Sequence, residues 1–180
     1  MPSYAMFLRG INVGGHNKVP MASLRAMIER EGFGDVVTLL QSGNAVFAGA
    51  RSNAGQLEKL FEMKLAADRK ITCDCFVRTA KEWDELVAAN PFPAEAKRDP
   101  AHLLVVVLGK PPTAAAVTAL REAVRGRETV AASGRQLYAC YPDGIGTSKL
   151  TLPLIEKHLG TRGTGRNWNT VLKVAELLSR

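Results

Sequence analysis

Apolar residues recur along this chain in two alternating rhythms, short runs of strand length and longer stretches at helical spacing. Residues 3–8 are almost continuously apolar, which predicts a buried strand. A polar, glycine-rich stretch follows. Pro20 then pre-sets the first turn of a helix whose inward positions are Met21, Leu24, Met27 and Ile28, and Gly32 is placed to end it. Residues 36–40 and 45–48 read as two strands joined at Gln41-Ser42-Gly43-Asn44, because a Gly-Asn pair tolerates the positive φ of a tight hairpin. Asn53 can cap a second helix with the stripe Leu57, Leu60, Phe61 and Leu65, and residues 71–77 read as another strand. The order so far is βαββαβ, the ferredoxin-like arrangement.

Thr79-Ala80-Lys81-Glu82 is a capping box for a third helix with Trp83, Leu86 and Val87 inward, and Asn90-Pro91-Phe92-Pro93 stops it. Residues 94–100 are polar and proline-bounded, so they read as a linker. Beyond them the element order nearly repeats. A strand at 102–108, a helix with Val117, Leu120 and Val124 inward, and a hairpin of 128–132 and 136–140 about Ser133-Gly134-Arg135 give βαββ. Two helices follow, at about 150–159 and 168–178. The predicted class is α+β, with a ferredoxin-like lobe over residues 1–95 and a second lobe of βαββ plus helices over 96–180.

Charge changes this picture through its location. The net charge is +7, yet residues 1–95 carry 11 Lys/Arg and 11 Asp/Glu while residues 96–180 carry 13 and 6. A basic second half favours an anionic partner, whether a small molecule or nucleic acid. The longest apolar run, residues 103–108, is too short to cross a bilayer, and Met1-Pro2-Ser3-Tyr4 has no basic segment leading into an apolar one, so a cytoplasmic location with no membrane partner is expected. Cys73, Cys75 and Cys140 form neither an even disulfide framework nor a C-x-x-C pair, and they read as reduced packing residues. No metal site or cofactor is implied.

Three segments could carry chemistry. Residues 9–18, Arg9-Gly10-Ile11-Asn12-Val13-Gly14-Gly15-His16-Asn17-Lys18, lie between a strand and a helix, where glycine-rich backbones cradle phosphate. Gly10 and Gly15 have the spacing of a P-loop, but His16-Asn17 stands where Lys-Ser/Thr must follow, which removes that reading. The hairpin turn Ser42-Gly43-Asn44 offers a hydroxyl and an amide. The third segment, residues 160–170, reads as another glycine-rich loop opening a helix at Asn167 or Asn169, with Arg166 as an anion fork, Trp168 as a stacking surface and Lys149 on a flexible approach. Scattered His16, His102 and His158, and the absence of nucleophile-elbow or zinc motifs, leave no catalytic group to name.

Leu8-Arg9-Gly10-Ile11-Asn12-Val13-Gly14-Gly15, Asn17-Lys18-Val19-Pro20-Met21, Gln41-Ser42-Gly43-Asn44, Asn90-Pro91-Phe92 and Arg166-Asn167-Trp168-Asn169-Thr170-Val171 together resemble the bacterial family called domain of unknown function 1697. The resemblance covers nearly the whole chain and implies an α+β fold, with no activity to transfer. It also implies that the three segments are the family's signature. The expected ligand set is Arg9, Asn12, Gly14, Gly15, Lys18, Ser42, Gly43, Asn44, Lys149, Arg166, Asn167, Trp168 and Asn169 around a phosphate- or carboxylate-bearing molecule. A nucleic-acid-binding module, or an enzyme acting on a phosphorylated or nucleotide-like substrate, are the competing readings.

Overall fold

Two four-stranded antiparallel sheets organise the chain, and a computed structural model describing residues 1–180 gives both the same strand order. In the first, β1 (Ser3–Leu8), α1 (Met21–Arg30), β2 (Gly34–Leu39), β3 (Asn44–Ala48), α2 (Ala54–Arg69) and β4 (Cys75–Thr79) form a sheet ordered β2-β3-β1-β4. This is the ferredoxin-like topology. Helix α3 (Ala80–Ala88) continues directly from β4 through the expected capping box, Glu82 N donating to Thr79 Oγ1 at 3.2 Å and Thr79 N to Glu82 Oε2 at 2.8 Å.

After α4 (Pro93–Arg98) and a 3-10 turn, Pro100–His102, the second sheet is built from β5 (Leu103–Leu108), α5 (Ala114–Ala123), β6 (Thr129–Ser133), β7 (Gln136–Cys140), α6 (Leu152–Leu159) and β8 (Gly163–Asn167), in the order β6-β7-β5-β8. Helix α7 (Trp168–Leu178) follows β8 without a loop. Two compact units result, Met1–Glu85 with Val174–Arg180, and Leu86–Lys173.

The side-chain alternation of β1 explains its continuous apolar run. Tyr4, Met6 and Leu8 enter a core with Leu24, Met27 and Ile28 of α1 and Leu57, Phe61 and Leu65 of α2. The intervening Ala5 and Phe7 are buried as well, Phe7 stacking on Trp83 with ring centroids 4.8 Å apart. A strand buried on both faces needs no polar alternation. Each such side chain contributes about 1.5–3 kcal/mol of apolar burial. In the second unit Val106 and Leu108 join Val117, Leu120, Ile155 and Leu159 in the same way.

The two units agree in register, beyond their agreement in order. Phe7 opposes Asn44 and Leu8 opposes Cys75; Val107 opposes Gln136 and Leu108 opposes Gly163. Hydrogen bonds past the strand ends repeat too. Leu8 N donates to Gly43 O and Arg9 N to Asp74 O, both at 3.0 Å; Leu108 N donates to Arg135 O at 2.9 Å and Gly109 N to Arg162 O at 3.0 Å. At the opposite end, Gly49 N to Pro2 O (3.1 Å) matches Tyr141 N to His102 O (2.9 Å). Arg78, opposite Ala5, and Arg166, opposite Val105, occupy the same place, one residue before a helix-capping Thr79 or Asn167.

Three elements differ from the sequence reading. Residues 163–167, read as part of a loop, are strand β8, which completes a second βαββαβ. Its glycines serve close approach: a Cβ on Gly163 would sit 2.8 Å from Val106 Cγ1 and 2.9 Å from Val107 O, and one on Gly165 3.0 Å from Leu104 Cδ2. Residues 94–100, read as a linker, hold α4 and the start of the 3-10 turn, with Pro93 as a first helical residue instead of a breaker. Residues 71–74 precede β4 without joining it, because Lys70 turns left-handed and Ile71 N bonds back to Leu65 O at 3.3 Å, closing α2.

Candidate functional site

The connection from β1 to α1 takes residues 9–20, twelve residues, whereas the register-equivalent connection from β5 to α5 takes residues 109–113, five residues. The longer loop is folded. Val13 and His16 pair across Gly14 and Gly15, whose φ values of +59° and +78° make a two-residue turn that favours glycine at both positions. Asn12, itself left-handed at φ +54°, donates through Nδ2 to Val19 O (2.9 Å) and Gln41 O (2.7 Å) and accepts at Oδ1 from Val19 N (2.9 Å). Its amide is therefore spent on closing the loop's root and latching it to the β2–β3 turn. Ile11 and Val19 anchor that root in the core, and residues 13–18 stand exposed.

The turn receiving this latch is equally constrained. Gly43 lies at φ +75°, and a Cβ there would fall 2.6 Å from Ile11 Cδ1 and 2.8 Å from Leu8 Cβ. Asn44 is fully buried and donates to Leu39 O (3.1 Å) and Ser42 Oγ (2.9 Å), so it braces the turn from within. Leu40 adopts φ +58° while 65% exposed, a conformation that costs a non-glycine residue about 1–2 kcal/mol. Loop and turn thus form one assembly at the end of β1. Asn12, Gly43 and Asn44 hold it together, and His16 and Lys18 are among its exposed residues.

The remaining expected site residues belong to the second unit. Arg166 lies in β8, 9% exposed, with Nη1 donating to Thr164 Oγ1 and Gly165 O, each at 2.7 Å. Burial lowers its pKa to about 10. Asn167 caps α7 by accepting from Thr170 N at 3.0 Å, Trp168 is buried, and Asn169 is exposed. The approach expected to be flexible is pinned instead: Arg127 holds Asp143, Ser148 donates to Glu128, and Tyr141 Oη donates to Leu150 O at 2.9 Å. Lys149 projects from this pinned segment, exposed.

The cysteines are unbridged, and burial raises all three thiols, Cys73 to about 11. Thiolate chemistry near neutral pH is disfavoured at such sites. No group of three or more His, Cys, Asp or Glu side chains stands close enough to hold a metal ion. Two features escaped the sequence reading. His102 Nδ1 lies 2.6 Å from Asp99 Oδ2 across the 3-10 turn that precedes β5, an oriented imidazole visible only as a D-x-x-H spacing. The backbone segments carrying Lys110, Arg135 and Arg162, far apart in sequence, lie side by side past the end of β5.

The architecture recurs among known proteins. A solved structure of the conserved bacterial protein SP0830 from Streptococcus pneumoniae superposes with a TM-score of 0.76 at 25% identity, covering 98% of each chain. No curated protein matches the sequence. The family described as Protein of unknown function (DUF1697) matches residues 1–138, which take in the whole first sheet and the second through most of β7. That match covers the latched loop, the turn that receives it, the first ββ hairpin and most of the second, and by it the chain belongs to the DUF1697 family.

Proposed function

We propose that the protein binds a phosphate- or carboxylate-bearing small molecule at the end of β1, on the loop of residues 9–18 and the turn at Ser42. The supporting observation is the length of the loop. The second unit closes the same β–α connection with five residues, so seven of the twelve are surplus to the fold. Ordered loops longer than their framework requires commonly carry binding residues on a rigid base. Here the surplus is exposed and cationic at Lys18, with the Gly14 and Gly15 amides at its tip and Arg9 and Ser42 at its root. Asn12, Gly43 and Asn44 act from beneath, as supports.

Calorimetric titration of the full chain with inorganic phosphate and, separately, citrate tests this reading. Saturable binding of either anion, abolished in Lys18→Ala and weakened in Arg9→Ala, is the expected result. Absence of binding by both anions, or unchanged binding in Lys18→Ala, would end it.

A further inference from the structure

Each sheet has two edges, and three of the four receive side-chain hydrogen bonds from a neighbouring helix. On β4 the outward amides of alternate residues all meet carboxylates: Cys75 N donates to Glu62 Oε1 (2.9 Å), Val77 N to Glu58 Oε1 (2.9 Å) and Thr79 N to Glu82 Oε2 (2.8 Å). On β8 Gly163 N donates to Glu156 Oε2 at 3.3 Å, and on β6 Val130 O accepts from Arg121 Nε at 3.0 Å. Unpaired edges recruit foreign strands, and bonds of this kind suppress that.

The fourth edge, β2, receives none. Leu8 N donates to Gly43 O and Gly49 N to Pro2 O, so Gly43, Ala45, Phe47 and Gly49 turn their backbone groups towards β1. Asn44, Val46 and Ala48 therefore turn theirs towards Leu39, Val37 and Gly34 of β2. Thr38, between two bonded positions, presents its N–H and C=O away from the sheet, and no backbone or side-chain group meets them. The register then skips from Gly34 to Val37, leaving Asp35 and Val36 in a bulge.

This edge borders a groove of about 580 Å³ that lies wholly within the first unit. Val37, Val46, Ala48 and Leu177 supply apolar lining, and Val37 is 40% exposed. The charged residues of the groove are Arg25, Glu29, Asp35 and Arg180. Arg25 holds Glu29 at 2.9 Å and Arg180 holds Glu176 at 2.7 Å, which leaves Asp35 as the one lining charge without an ion pair.

We propose that β2 docks an extended segment of a partner protein, apolar and carrying a lysine or arginine, as a fifth strand of the first sheet. Thr38 supplies the main-chain pair, the groove covers the partner's apolar side chains, and Asp35 meets its cation. A second copy of the chain fits less well. Pairing β2 with β2 brings no cation to Asp35, because Gly34–Leu39 holds none, and the bulge deters association of identical edges. The proposal is independent of the loop at residues 9–18.

The test is an amide NMR titration of the full chain with a short blocked peptide that alternates valine and threonine about one lysine. Its controls are the same peptide with glutamate in place of lysine, and a fully N-methylated form that cannot extend a sheet. The lysine peptide should bind saturably, shift resonances within residues 34–40 and slow exchange of the Thr38 amide, leaving residues 129–133 of β6 unmoved. The glutamate peptide should bind about fivefold more weakly, and the N-methylated form not at all. Asp35→Asn keeps a residue suited to the φ of +51° at this position and should remove the preference for lysine over glutamate. Thr38→Pro should abolish binding, since it deletes the outward N–H and spares the ladder to β3. Should that variant fold poorly, Asp35→Asn still decides, and Lys18→Ala should leave binding unchanged. No binding of the lysine peptide, equal binding of the N-methylated form, or an unaltered preference in Asp35→Asn would overturn the proposal. So would shifts within residues 34–40 that follow protein concentration alone, the mark of a second copy.

Discussion

The first and second sheets are built to one register, yet they end their first strands in opposite ways. At the end of β1 a long loop is latched by Asn12 to a turn that only glycine fits, with Gly43 against Leu8 and Ile11. At the end of β5 the connection is short, and Arg135 takes the place of Gly43. The shared backbone hydrogen bonds are what the fold requires. The loop's extra length at the end of β1 is what it does not require, and the proposed binding rests on that surplus.

Substitution at the equivalent pair Gly43 and Arg135 strains this comparison most. Gly43→Val must place a Cβ against Leu8 Cβ at about 2.8 Å and hold a β-branched residue at positive φ. It should destabilise the protein by about 3–4 kcal/mol. Arg135→Val should cost under about 0.5 kcal/mol. Urea unfolding midpoints decide, and equal losses would mean that the two turns are not built differently.

The buried arginines come next. Arg78 and Arg166 share a register position and near-complete burial, so Arg78→Ala and Arg166→Ala should each destabilise by about 2–3 kcal/mol, leaving backbone or hydroxyl acceptors without their donor. A large loss at one site and none at the other would break the equivalence. Asn12→Ala should cost less, about 1–2 kcal/mol, and should speed amide exchange within residues 10–19 well ahead of the sheet. Uniform exchange throughout the unit would show that the latch is not local.

The smallest expected effect is alkaline and belongs to the second unit. Burial raises the hydroxyls of Tyr138 and Tyr141 from 10 to about 12, so the folded state holds their protons more tightly than the unfolded state does. Their contribution is intact below pH 10 and is lost as pH rises to about 12. Tyr141→Phe should flatten the decline of stability across that window, and an unchanged slope would assign it to other groups.

Much of this architecture is legible in the residues. The stripes Leu24-Met27-Ile28 and Leu57-Phe61-Leu65, the caps Asn53 and Thr79, and a hairpin turn with Gly43 at positive φ lie where periodicity, cap and turn chemistry place them, whereas Asn44, read as part of the turn, is the first residue of β3 and the second positive φ falls on Leu40. β8 was hidden because its strand character comes from pairing with β5, while Gly163-Thr164-Gly165 has the local composition of a loop. The Asn12 latch was hidden for a related reason. An asparagine in a glycine-rich loop suggests a ligand contact until the Gln41 carbonyl, brought in by the hairpin, is seen to occupy its amide. Arg166 similarly looks like an anion fork in sequence and proves to be a buried strand residue. The segments at 110, 135 and 162 become neighbours only through the pairing of β5 with β7 and β8.

The claim that the surplus loop serves a ligand is tested most directly by an amide NMR titration with inorganic phosphate, comparing the native chain with His16→Ala/Lys18→Ala. In the native chain, saturable shifts should appear within residues 9–18 and 41–44. The double variant, altered only at exposed positions, should keep its sheet resonances and lose those shifts. Shifts that persist in the double variant, or a native chain that shows none, would contradict the assignment of the loop to binding.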